Sequence, residues 1–121
     1  MLIGIASALG AWSRWIIGYL FSYAFPGLPY GTLAVNLLGG FLMGVSIAYF
    51  QTLTAVNEEL KIIINIGFLG GLTTFSAFTA DLFHLFDKDQ HMTAILLMFG
   101  HVFGALILAF LGWQFFNLLL K

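Results

Sequence analysis

Most of the residues able to do chemistry lie in one stretch, Gly67-Phe68-Leu69-Gly70-Gly71-Leu72-Thr73-Thr74-Phe75-Ser76-Ala77-Phe78-Thr79-Ala80-Asp81. It sits inside a long apolar segment, where an unbroken helix is the default. Gly in a helix interior costs about 1 kcal/mol relative to Ala, and adjacent β-branched Thr73 and Thr74 add to that. A break frees backbone C=O and N–H groups. Inside a bilayer, such groups are tolerated where they are buried in protein, line a cavity or hold an ion. The stretch is expected to be a broken membrane helix at an ion site.

Phe75 and Phe78 are spaced to share one side of a helix that resumes after the break. A phenyl ring has a positive edge and a negative face. Edges turned into a narrow pore would stabilise a small anion without trapping it, with the hydroxyls of Ser76 and Thr79 as further donors. Core filling is the ordinary alternative for such a pair. Asp81 follows, an intramembrane carboxylate and so a functional candidate. It would neutralise Arg14 if near it, or stand at an entrance if near water.

Three more candidates lie elsewhere. Thr32, Asn36, Gly40 and Gly44 recur every fourth residue and share a helix face. Gly40 and Gly44 form a GxxxG pair, a close-packing device. Asn36 is a primary amide in mid-bilayer and needs partners. Its NH₂ offers two donors to an anion, or it ties two helices together. Arg14, with Gly10 and Gly18 on its face, lies too deep for a simple end anchor. It either snorkels to the interface or faces inward onto a wet vestibule, and the glycines beside it favour the inward direction. His101 is alone on an apolar helix, where a neutral, hydrogen-bonded core role is the ordinary one.

The elements that must carry these residues are membrane helices. The chain of 121 residues is 61% hydrophobic and 7% charged, with mean hydropathy +1.03. A soluble domain carries about 25% charge. The composition therefore gives one integral membrane domain over residues 1–121. Net charge is −1, with no basic patch for nucleic acid or polybasic lipid-binding tail. Cysteine is absent, which excludes disulfides and thiolate metal sites, and the three His lack metal-ligand spacing. Arg14 interrupts the first apolar run and no basic n-region precedes it. That run reads as a membrane helix, not a signal peptide.

A bilayer core of about 30 Å takes roughly 20 helical residues. Four segments suffice: about Leu2 to Phe25, Tyr30 to Phe50, Leu60 to Phe86 and Met92 to Leu120. Pro26-Gly27-Leu28-Pro29 turns the chain after the first. The third is longer than a straight crossing requires, which leaves room for its break. Four spans put both termini on one side, with Lys61 and Lys121; Lys88 lies on the other. Such a weak positive-inside bias permits insertion in both orientations, although a single orientation is the plain alternative. Two oppositely inserted copies would recreate the inverted repeat of larger transport proteins.

Three motifs together resemble the Fluc (CrcB-type) fluoride channels. They are Gly10-Ala11-x-x-Arg14-Trp15, Gly31-Thr32-Leu33-x-Val35-Asn36-x-x-Gly39-x-Phe41-x-x-Gly44 and Gly67-Phe68-x-Gly70-Gly71-x-Thr73-Thr74-Phe75-Ser76-x-Phe78. The resemblance covers nearly the whole chain, and the third motif is its most specific part. It implies an antiparallel, dual-topology homodimer with two pores in a bacterial plasma membrane. It implies a structural Na⁺ at the dimer centre on the backbone carbonyls of Gly70 and Thr73. It implies that Phe75 and Phe78 line the fluoride paths, that Asn36 contributes a donor, and that Arg14 serves the vestibule. Asp81 stands where the family has Glu. On the last helix, Leu97, His101 and Ala105 replace the family's Tyr and spaced Ser or Thr. Some members of the family pair with a paralogous subunit.

The expected function is passive, fluoride-selective export, with no enzymatic activity. The rivals are a non-conducting partner subunit, suggested by Leu97, His101 and Ala105, and a small dual-topology transporter of cationic drugs. The transporter needs a mid-membrane carboxylate, and the first helix carries Arg14 and no acid.

Overall fold

The computed structural model describes residues 1–26 and 29–121. Part of the expected turn, Gly27 and Leu28, lies outside them. The described residues form helices and short connections, without a strand. Helix α1 is Leu2–Ala24 and α2 is Tyr30–Gln51. Helix α3 spans 58–72 and contains a π-helical segment, Ile63–Leu69. The chain then breaks at Thr73 and Thr74, and α4 resumes over Phe75–Asp87. Helix α5, His91–Leu119, carries a second π segment at Gly100–Gly104. The four expected segments match these boundaries to within a few residues. The two π segments have no counterpart in the sequence reading.

Among the described residues, three stretches are long and apolar enough to cross a membrane: Tyr30–Gln51, Glu58–Asp87 and His91–Leu119. The chain is a multi-pass membrane protein. Helix α1 is not among the three, because Trp12, Ser13, Arg14 and Trp15 dilute its apolar character. The outward surface is apolar: Trp12 is 67% exposed, Leu96 64% and Leu118 64%. Water would penalise such a surface; hydrocarbon does not.

The core is built by close backbone approach. Helix α2 packs along α5, and α1 packs against the π segment and the end of α3. At Gly44 an added Cβ would fall on the Ala109 carbonyl and 2.9 Å from Trp113 N. At Gly71 it would fall on the Ser7 carbonyl and 3.0 Å from Ser7 Cα. Gly44 therefore acts as a packing position, as its spacing from Gly40 suggests, and Gly71, expected to break the helix, packs as well. Together these contacts bring α1, α2 and α5 around the break.

Candidate functional site

The break falls on the threonines; the Gly70-Gly71 pair stays helical. Thr73 (φ −85°, ψ 161°) and Thr74 (φ −154°, ψ 124°) are both extended. Their side chains explain why. Thr73 Oγ1 donates to Leu69 O at 2.9 Å, closing the last turn of α3. Thr74 Oγ1 accepts from Ala77 N at 3.2 Å and so caps α4. One threonine ends a helix and the next starts another.

Asn36 supplies the partners that the broken backbone lacks. Its Oδ1 accepts from Thr74 N at 2.8 Å, and its Nδ2 donates to Thr74 O at 2.9 Å. The second amide hydrogen goes to His101 Nδ1 at 3.0 Å. Both donors of Asn36 are thus committed within the chain. An orphaned backbone N–H or C=O here would cost about 1–3 kcal/mol. Because Thr74 N turns to Asn36, it no longer serves the Gly70 carbonyl four residues back. Among the described residues no backbone amide crosses the break to that carbonyl.

The aromatic pair is asymmetric. Phe75 and Phe78 meet edge to face, 5.5 Å between centroids at 61°. Phe78 is 5% exposed and Phe75 77% exposed. The buried ring also lies 4.4 Å from the His101 ring. A groove of about 500 Å³ runs past Asn36, Thr73, Thr74, Phe75, Phe78 and His101. Ser76 and Thr79, on the same helix as the two rings, are exposed. Thr79 Oγ1 donates to Phe75 O at 3.0 Å, and Ser76 Oγ lies 3.3 Å from Thr74 Oγ1.

Arg14 and Asp81 do not meet. Arg14 reaches inward, with Nη1 3.5 Å from Thr73 O, and lines a small cavity with Gly18, Thr32 and Thr74. Asp81 lines a separate hollow of about 380 Å³ with Ser22, His84 and Lys88. Asp81 therefore does not neutralise Arg14, and its Oδ2 is buried without a hydrogen-bond partner.

Comparison with known proteins fixes the class. Residues 1–113 match the family described as CrcB-like protein, Camphor Resistance (CrcB). The chain belongs to the CrcB family. A relative from Desulfovibrio desulfuricans is 47% identical over 98% of this chain and 92% of its own length. One from Aromatoleum aromaticum is 44% identical over 97% of this chain and 89% of its own. One from Ralstonia pickettii is 41% identical over 93% of this chain and 90% of its own. Each is named a fluoride-specific ion channel FluC.

In this CrcB chain the residues singled out in the sequence fall into three places. Asn36, Thr73, Phe75 and Phe78 line the groove, and Ser76 and Thr79 are exposed on α4. Arg14 lies against the break, with Nη1 near Thr73 O, and Asp81 lies in its own hollow. His101 was expected as a buried, hydrogen-bonded core residue, and it is one. Its position against both Asn36 and Phe78 was not expected, since it depends on how α5 packs on α2 and α4. The capping role of Thr74 was also missed, although a Thr immediately before a resumed helix is a sequence signal for it.

Proposed function

We propose that this CrcB protein is a passive, fluoride-selective channel that lets cytoplasmic fluoride leave a bacterial cell. The observation that carries the reading is the match, along nearly the whole chain, to relatives named fluoride-specific ion channels. The active form proposed is an antiparallel, dual-topology homodimer, with α1 as a fourth crossing in each protomer. The weak charge bias and the 77% exposure of Phe75 support it, since a second copy would cover that ring. Fluoride passes the edges of Phe75 and Phe78, with the Ser76 hydroxyl as a donor and Thr79 as one once its proton leaves Phe75 O. Arg14 and Asp81 adjust the charge at the approaches. Several weak contacts replace the hydration shell and still permit release.

A structural Na⁺ at the two-fold axis belongs to the same proposal, held by the carbonyls of Gly70 and Thr73 from each protomer. The fit rests on the Gly70 carbonyl, which loses its helical partner when Thr74 N turns to Asn36. The ion would offset aligned carbonyl dipoles and lock the protomers together. Against the partner-subunit reading stands His101, which lines the groove from α5, while Leu97 and Ala105 remain its support.

The test is growth. Bacteria stripped of their own fluoride exporter should regain growth in fluoride when they make this chain, and lose it with Phe78→Ile. Membrane-inserted wild-type protein that gives no protection would overturn the reading.

A further inference from the structure

Among the described residues, two buried side-chain atoms have no hydrogen-bond partner, Asp81 Oδ2 and His101 Nε2. The second belongs to no role assigned above. His101 is 5% exposed, lines the groove, and holds its ring 4.4 Å from that of Phe78.

The backbone decides which ring nitrogen carries the proton. Thr74 N–H can only donate, and its acceptor is Asn36 Oδ1 at 2.8 Å. That contact fixes which way round the amide lies. Nδ2 therefore faces Thr74 O and His101 Nδ1. An NH₂ group has donors alone, so Nδ1 must accept. The proton of the neutral ring then sits on Nε2. The outcome is a dry N–H donor without an acceptor, held rigidly beside Phe78. Buried donors in folded proteins are nearly always paired with protein, water or an ion.

We propose that the Nε2–H of His101 donates to fluoride in this pore, and that Asn36 is the positioning residue that holds His101 in that tautomer. The proposal rests on the fluoride-channel reading. Fluoride is compact and a strong hydrogen-bond acceptor, and bonds to an ionised acceptor are short and strong. A fixed, desolvated donor beside a ring suits that ion better than a larger, more weakly accepting chloride. A neutral donor also holds an anion less tightly than a cation would, which favours release. Asn36 acts through the histidine: one amide hydrogen serves the break and the other sets the donor.

Two substitutions separate the nitrogens. His101→Asn keeps an oxygen near the Nδ1 position to accept from Asn36, and removes Nε2. His101→Gln places an amide donor nearer the Nε2 position. Each is compared with wild type for fluoride efflux from liposomes at matched density, and for assembly by size exclusion. The expected result is an assembled His101→Asn variant with efflux reduced at least about tenfold, the scale of one hydrogen bond to a charged partner. His101→Gln should recover much of the rate. Imidazole-¹⁵N spectra of wild type, with His101 assigned by its loss in His101→Asn, should show a protonated Nε2 that shifts with fluoride and not with chloride. Wild-type efflux from His101→Asn, or an Nε2 signal indifferent to fluoride, overturns the proposal. So does equal loss of rate and assembly in both variants, which marks a structural histidine. A wild-type chain that passes no fluoride fails earlier, at the channel reading itself.

Discussion

Asn36 and the phenylalanines should answer differently to substitution, because they touch different things. Phe75→Ile and Phe78→Ile keep apolar bulk and remove the positive ring edge. Apolar swaps with repacking cost under about 1.5 kcal/mol. Each variant should lose fluoride flux far more than it loses thermal stability. Flux that merely follows protein yield would reduce the rings to filling. Asn36→Ala strips partners from both Thr74 N and Thr74 O. It should lower the melting temperature as well as flux, and wild-type melting would contradict the stitching role. At this scale the sequence was informative about which residues matter and less so about what they touch. An amide in mid-bilayer announces that it needs partners. Only the fold reveals that its partners are Thr74 and His101, from 38 and 65 positions along the chain.

At the scale of elements, the broken helix was legible because Gly, Gly, Thr, Thr in an apolar run opposes a continuous helix. The residue that performs the break was not, since propensity cannot separate a Gly pair that packs from a Thr pair that caps. Thr74→Val removes the cap on α4, and caps of this type are worth about 0.5–2 kcal/mol. The variant should unfold at lower temperature, and unchanged melting would show that Thr74 Oγ1 is dispensable. The glycines divide as well. Gly71→Ala collides with the Ser7 backbone, so it should reduce folded yield sharply. Gly70→Ala meets nothing nearer than Asn65 O at 3.7 Å, so each chain should fold. If Gly70 faces a second copy, that variant should appear as monomer on size exclusion; an undisturbed dimer would move the interface elsewhere. The π segments were invisible in sequence because one extra residue in a turn leaves no mark on a uniformly apolar pattern.

For the whole molecule, composition and segment length were enough to give a multi-pass membrane protein. Orientation depends on a few charges, Lys61 and Lys121 against Lys88. The absence of cysteine makes insertion easy to read. Asp89→Cys, in the turn between α4 and α5, should be labelled from both faces of sealed vesicles if the chain inserts both ways. Labelling from one face alone would remove the antiparallel dimer. The most direct measurement on the central claim is fluoride release from liposomes that contain this purified chain and no other protein, followed with a fluoride electrode. The expected result is rapid release of fluoride, with chloride retained under the same conditions. No release above protein-free liposomes, or release of both ions alike, would contradict a fluoride-selective channel formed by this chain alone.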